Sequence, residues 1–588
     1  MGIAGSNSLS KLALICVLFI AQWHLQTVRV TGDNWKNIID SDGAGYYGYL
    51  PAIFIFKSFD YQLKQSADAK TLNKKEHLGG AIKYYYGEAL LLLPFFTIAD
   101  MITQSIDLTE RTGYTFYYQL FCALAGIFYL FLGLVMLRSL LLRMHFSDGI
   151  TAFALLLIFL ATQLYYYSLH APVMSHVYSF AMVATLLNLY HLQLIRYNVR
   201  RWLLISIVAT LIVIIRPVNA IFILAFLPLS GSWEKSKEFT KLFLHSGKVI
   251  VFFSCLIGAL LIFGQSFMYY IQTGKWWVYS YGDEGFNWFE PHVMDMLFSY
   301  RKGLFVYAPI LLFSIPGIWV LSKRQSPYWS ITWLFLMFSF LYVSSSWWYW
   351  AYGGSFGMRP FIDAYPLFIL PIAAFFEFVC RYLVSKIVVI AGAILLAVFQ
   401  LFQTYQYITN VLPYEFITKE KYWHLFLKHS HQFQYVYPPD NEFRLPKQPG
   451  TVYFETALIG QDSIIELSSI GEAKADRFEI IAREWAAVIP LDTLKDTLYA
   501  EVSAEINMEE CDSDASLVTA FQEDWKAYFW ERNYLVHQIT QKNNWSAVRF
   551  ILPLPNYRPP LSFFTISLHN NNTSKIQARK LRVRIFSE

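Results

Sequence analysis

The chain has 588 residues, of which 55% are hydrophobic, 18% aromatic and only 15% charged, with a net charge of +5. Water-soluble domains carry about 25% charged residues, so much of this chain is not built for water, and its mean hydropathy of +0.36 agrees. A charge this small and this dispersed excludes a nucleic-acid surface. Four of the five cysteines (Cys16, Cys122, Cys255 and Cys380) lie in apolar stretches; Cys511 alone falls in the polar tail, so no disulfide can form within that tail, and no metal-ligand spacing appears.

The first apolar run, 12–28, follows Lys11 and has no small-residue cleavage site after it, so an uncleaved first membrane helix is expected. Runs long enough to span a bilayer, about 20 residues each, occur near 10–29, 115–137, 150–169, 173–195, 247–271, 304–321, 328–346, 361–380 and 386–408. The stretch 202–230 is broken by Arg216-Pro217. Arg138/Arg143, Arg196/Arg200/Arg201, Lys235/Lys237/Lys241, Lys323/Arg324 and Arg381/Lys386 fall in short loops that the positive-inside rule assigns to the cytoplasm. All of them share one side only if 202–230 is a hairpin turning near Arg216 and 88–105 does not cross. Residues 88–105 and 46–59 are therefore expected to lie along, or dip into, the outer leaflet. About eleven spans result. The expected fold class is an α-helical polytopic membrane protein. Residues 1–410 form its transmembrane domain, with an outer loop and juxtamembrane helices over about 30–114.

After about residue 411 the composition changes. Runs such as "VYFETALIG", "LYAEVSAEI" and "SFFTISLHN" are β-rich and partly alternating, separated by Gly, Asp, Asn and Pro. They predict a soluble antiparallel β-sandwich over 411–588, outside the cytoplasmic membrane by the parity of the spans.

The outer face then collects the most unusual segments. "SDGAGYYGYLP" (41–51) sets Asp42 among glycines and tyrosines, with Asp40 two residues back. A loop acid is ordinarily just solvated. Here Gly43 and Gly45 permit close approach, Tyr46 and Tyr47 bring hydroxyl donors, and a base must stand within hydrogen-bond reach of the hydroxyl it serves. Lys83, Arg216, Arg301, Lys302 and Arg359 fall on the same face. One such cation ordinarily snorkels to headgroups, but an outer accumulation runs against positive-inside statistics and suits a phosphate. Arg359 also has Asp363 four residues on, at helical spacing. His170 and His176 flank the turn "HAPVMSH" and read either as interfacial histidines or as helpers to phosphate or acceptor. Asp283 and Glu284 fit solvated loop acids, a divalent cation or an acceptor sugar. Trp348 and its neighbours fit an aromatic belt as well as a sugar platform. Walker, Rossmann, nucleophile-elbow and zinc motifs are absent, so that divalent cation is the one cofactor the residues leave room for.

"DSDGAGYYGYLPAIF" (40–54), "KYYYGEALLLLPFF" (83–96), "YRKGLFVYAPIL" (300–311) and "YGGSFGMRPFIDAYPLFILP" (352–371) together resemble the GT-C superfamily of integral membrane glycosyltransferases. The likeness is to bacterial protein-mannosyltransferase-like and aminoarabinose-transferase-like members, and it covers about 10–405. In that family a first helix leads into an outer loop with a catalytic acid, then juxtamembrane helices. Asp42 takes the acid's position and Lys83 that of a phosphate-contacting lysine, although Tyr85 and Tyr86 stand where prolines are common. The resemblance implies transfer of a sugar from a polyprenyl-phosphate donor to a hydroxyl of a glycan, lipid or protein acceptor, with inversion. Asp42, with Asp40 beside it, would be general base or would orient the acceptor. Lys83, Arg301 and Arg359, with Lys302 and Arg216 nearby, would offset phosphate charge. Tyr46, Tyr47, Tyr85 and Trp348 would hold sugar and isoprenoid. The rival readings are a flippase for a lipid-linked sugar, which should show repeated halves or midplane acids, and a non-catalytic envelope-assembly protein, which would not need the outer charge cluster.

Overall fold

The computed structural model describes residues 8–59, 81–106, 111–282, 284–415 and 417–429, and beyond them the strands of a C-terminal β region with a few connecting residues. The chain divides into two compact units, Met1–Thr404 and Tyr405–Glu588. Among the described residues, eight helices are long and apolar enough to cross a membrane: Ser8–Arg29, Gly87–Ile106, Phe116–Arg143, Ser175–Ile195, Lys248–Thr273, Pro327–Ser345, Arg359–Val379 and Leu383–Ile408. Such a set marks a membrane-embedded protein. Three further apolar helices are shorter: Asp148–Leu160, Arg201–Ile215 and Pro217–Ser230. Arg359–Val379 is wrapped by its neighbours, with 83% of its apolar window buried. Lys248–Thr273 and Leu383–Ile408 bury only 11% and 17% and leave their Phe, Leu, Ile and Val side chains uncovered, as lipid contact requires.

The loops sort to two ends. At one end Arg138 donates to Ser10 Oγ at 2.8 Å, and Asp148 receives the backbone N–H of Leu9 at 2.8 Å. Arg143 reaches Asn188 at 2.7 Å, Arg324 reaches the Met144 and His145 carbonyls at 2.9 and 3.0 Å, and Ser326 reaches the Gly231 carbonyl at 2.6 Å. This is the basic end that the loop charges predict. Ser175–Ile195 runs towards it and Arg201–Ile215 runs back. At Arg216 the backbone is extended (φ −149°, ψ 112°) ahead of Pro217, and the chain turns. The return leg begins as the 3₁₀ helix Pro217–Ala225. A rise of about 2 Å per residue there lets a short segment cover about 26 Å with the turn of α-helix after it. The hairpin expected at Arg216 is therefore present.

Two expected spans are not single helices. The 150–169 run splits into Asp148–Leu160 and Leu164–Leu169. The 304–321 run splits into Leu304–Tyr307, Pro309–Phe313 and Ser314–Arg324, with the break at Ala308 (φ −142°, ψ 64°), where Pro309 disfavours helix in the residue before it.

The 88–105 stretch is a helix long enough to span, but its neighbours fix its course. Tyr129 donates to the Leu91 carbonyl at 2.9 Å and Tyr118 to Asp100 at 2.6 Å, so Gly87–Ile106 runs antiparallel to the first half of Phe116–Arg143. On that same helix, Gly126 packs against Pro172, in the turn entering Ser175–Ile195. Gly87–Ile106 therefore starts about two helical turns to the basic-loop side of that turn and runs past it, away from the basic loops.

In the second unit every strand pairing among the described residues is antiparallel. One sheet has the order β1 (Val452–Ala457), β9 (Ile576–Ser587), β4 (Leu498–Met508), β7 (Ser546–Pro553), with β2 (Ile465–Leu467) also on β9. The other has the order β3 (Asp476–Ala482), β8 (Phe563–Asn570), β5 (Ser516–Glu523), β6 (Lys526–Tyr534). On β4, Ala500, Val502, Ala504, Ile506 and Met508 are buried. Glu501 and Glu505 between them pair with Arg549, Arg579 and Lys580 on neighbouring strands. This is the alternation of a sheet with one covered face.

Candidate active site

At the end of the bundle opposite the basic loops, the first helix leads through residues 30–40 into the short helix Ser41–Tyr47. Asp40 precedes it, is exposed and accepts the Ser41 N–H at 2.7 Å. Asp42 lies in its first turn and faces a cavity of about 400 Å³. Two glycines make this placement possible. A Cβ on Gly43 would stand 2.6 Å from the Val173 carbonyl oxygen, and one on Gly45 would stand 2.4 Å from the Tyr84 ring. With no Cβ at either, the acid-bearing turn lies flat on both neighbours.

Both Asp42 oxygens are engaged. Tyr84 donates its hydroxyl to Oδ1 and Arg359 its Nη2 to Oδ2, each at 2.7 Å. Desolvation pushes the carboxyl up, but Arg359, the Tyr84 hydrogen bond and Lys83 outweigh it and hold Asp42 below the usual carboxylate range. Desolvation and the adjacent Asp42 charge push the Tyr84 hydroxyl far up, so it remains a donor. The expected Arg359–Asp363 pair does not form. Residues Arg359–Ala364 wind as a 3₁₀ helix, in which positions four apart point about 120° away from each other.

Asp363 instead anchors a second cluster. Its side chain is 0% exposed, with His176 Nδ1 at 3.0 Å from Oδ1, and both Arg216 Nη1 and Asn219 Nδ2 at 2.8 Å from Oδ2. Lys83 makes a third pair, with Nζ at 2.5 Å from Glu284 and 5.6 Å from the centre of the Tyr281 ring. Three cations thus line one cavity, each held by an acid: Asp42 and Glu284 in the cavity wall, and the fully buried Asp363. An anion entering it competes with carboxylates already in place.

The rim is aromatic and zipped together by backbone bonds. Asn287 N donates to the Ser346 carbonyl at 2.6 Å and Trp348 N to the Gly285 carbonyl at 2.9 Å. This joins the 279–292 and 345–352 loops, so Tyr279, Tyr281, Phe286, Trp347, Trp348 and Tyr349 line the opening. Tyr46 lies 4.5 Å from the Tyr84 ring, ring centre to centre, and receives Ser175 Oγ at 3.3 Å.

Of the residues singled out in the sequence, Asp42, Tyr46, Lys83, Tyr85, His176, Arg216, Glu284, Trp348 and Arg359 line this cavity. The others stand elsewhere. Tyr47 is buried, packs on Phe96 and donates to the Gly113 carbonyl at 2.5 Å. Arg301 lies behind the rim, bonded to the Tyr349 hydroxyl at 2.7 Å and over the Tyr349 and Trp350 rings. Lys302 is buried and donates to the Ser355 carbonyl. His170 stacks on Tyr166 beside His24, where burial, with Arg29 and His24, pushes its imidazole down to about 3 and leaves it neutral. Asp283 lies outside the described residues. Among the described residues no cluster of three or more His, Cys, Asp and Glu side chains could hold a metal ion. Tyr84, Tyr281 and Tyr352 were not singled out. Tyr84 and Tyr352 sit in the quoted segments, but nothing in their spacing marks which tyrosine turns inward. No family model matches the chain, and no curated protein matches it.

Proposed function

We propose that the protein is a membrane glycosyltransferase moving a sugar from a polyprenyl-phosphate-linked donor to a hydroxyl of a glycan, lipid or protein acceptor, with inversion. In this reading the cavity opens on the outer face of the cytoplasmic membrane, and the β unit is a soluble extracytoplasmic sandwich. One observation carries the proposal: a single cavity joins Asp42, Lys83, Arg216 and Arg359 under an aromatic rim, at the end of the bundle opposite the basic loops. Its volume falls within the range of about 300–1,000 Å³ usual for small-ligand pockets.

Donor phosphate enters by exchange. Arg359 and Lys83 pass from Asp42 and Glu284 to the phosphate oxygens, and Arg can make that contact bidentate. The charge they then carry at the phosphate is most useful as the sugar departs, when the leaving oxygen gains charge. Asp42, released from Arg359 and still held by Tyr84, faces the acceptor as base or as orienting group. Tyrosine and tryptophan faces hold the sugar ring and the first isoprenoid units. Incubating the purified protein with labelled polyprenyl-phosphate sugars and candidate acceptors tests the proposal: a labelled glycoside is expected. Donor that is bound and translocated across a vesicle membrane with no glycoside formed would replace it with the flippase reading.

A further inference from the structure

We infer that the base accepting the acceptor's proton is His176, oriented by Asp363, and that Asp42 positions Arg359 and the acceptor. The inference rests on the transferase reading. In the empty site Tyr84 and Arg359 engage both Asp42 oxygens, and once Arg359 passes to the phosphate the Tyr84 hydroxyl still holds Oδ1, so Asp42 stays tied to its positioning contacts. His176 is different. Its Nδ1 stands 3.0 Å from Asp363 Oδ1 and 3.1 Å from Arg216 Nη1. Nδ1 faces an acceptor, Asp363, and a donor, Arg216; because Arg216 Nη1 has its shorter bond to Asp363 Oδ2 at 2.8 Å, we assign the proton to Nδ1, donated to Asp363 Oδ1.

The imidazole lone pair then stands on Nε2. That atom has no hydrogen-bond partner among the described residues and is not sealed from the cavity His176 lines. Asp363 is itself fixed by Arg216 and Asn219, and the Tyr167 ring packs against the imidazole at 5.5 Å, ring centre to centre. An acceptor-only nitrogen repels a phosphate oxygen and suits a hydroxyl. The cavity thus has a cationic side for the donor, at Arg359 and Lys83, and a basic nitrogen for the acceptor.

In the step, the acceptor oxygen forms its bond to the anomeric carbon while the bond from that carbon to the phosphate oxygen breaks. The electron pair of the broken bond leaves on polyprenyl phosphate, and the acceptor's proton goes to Nε2. The phosphate gains one negative charge and the imidazole one positive charge, which Asp363 stabilises. Release of products returns the proton to phosphate or water.

The test uses the full-length protein with His176→Ala and His176→Gln, reading donor binding and transfer separately. Donor Kd should stay within about twofold of wild type, since His176 does not touch phosphate. Transfer by the Ala variant should fall by about 10²-fold or more, the usual contribution of a general base, and added imidazole should restore part of it. Gln, which accepts a hydrogen bond but not a proton, should not restore it. Unchanged transfer in the Ala variant, full transfer in the Gln variant, or a parallel loss of donor binding would each overturn the assignment. Wild type that transfers while Asp42→Asn alone abolishes turnover returns the base to Asp42. Wild type that transfers from no lipid-phosphate sugar sinks the transferase reading and this inference with it.

Discussion

Asp42→Asn should tighten donor binding while it slows transfer, a combination few other accounts of the site produce. Asn keeps an oxygen for the Tyr84 hydroxyl but removes the charge that holds Arg359 at 2.7 Å. Arg359 is 12% exposed and Asp42 29%, so the pair lies between the exposed and buried limits. Exposed pairs contribute about 0.2–1 kcal/mol, and breaking a buried one costs about 3–5 kcal/mol. An intermediate value near 1.5 kcal/mol is the amount by which Asp42 opposes a phosphate seeking Arg359. Removing that competitor should lower the donor Kd about tenfold. It should also lower the melting temperature of the empty protein, because Arg359 loses its counter-charge. Titrating a fluorescent polyprenyl phosphate into wild type and variant in nanodiscs, at one low salt concentration, reads this directly. A Kd that rises or stays the same in a folded variant would show that Arg359 does not receive the phosphate, and the exchange would be wrong.

Lys83→Ala should weaken donor binding, whereas Glu284→Gln should strengthen it, since the two residues hold each other at 2.5 Å; equilibrium binding of the same probe decides. Gly45→Ala should push the Tyr84 ring off Asp42, because the new Cβ would meet it at 2.4 Å. A loss of about 1–3 kcal/mol in thermal or denaturant stability and a matching fall in transfer are expected. Asp42 is held below its ordinary value of 3.8, so its contribution to stability is complete above that value and is lost as pH falls through the lower folded value. The difference in stability between wild type and Asp42→Asn should therefore stay constant from pH 5 to 8 and shrink only below about pH 4. Single cysteines at position 42 and at the C-terminus should both react with impermeant reagent in intact spheroplasts. Labelling of only one would put the acid and the β unit on opposite faces.

Part of this architecture was readable because single residues dictate it. Pro217 disfavours helix at Arg216 and breaks the apolar run there, and the basic loops on either side of 202–230 require that break to be a hairpin. The breaks at Ala308 and after Leu160 were not readable, since an apolar run looks the same whether or not it is one helix. The acid-bearing turn was visible in its glycines, but Tyr46 and Tyr47 were indistinguishable in composition. One residue is about 100° of helix, which sends Tyr46 to the cavity and Tyr47 under Gly113. Arg359 and Asp363 carried a helical spacing that the 3₁₀ turn overrode. Their partners Asp42, Arg216 and His176 are long-range neighbours that only tertiary packing brings together.

A doubly labelled donor, carrying one isotope in the sugar and another in the phosphate, tests the central claim most directly. The account predicts that purified protein moves the sugar label onto an acceptor hydroxyl with inverted anomeric configuration and releases the phosphate label as polyprenyl phosphate in equal amount. Both labels remaining together on intact donor, with every carrier and acceptor supplied, would contradict it.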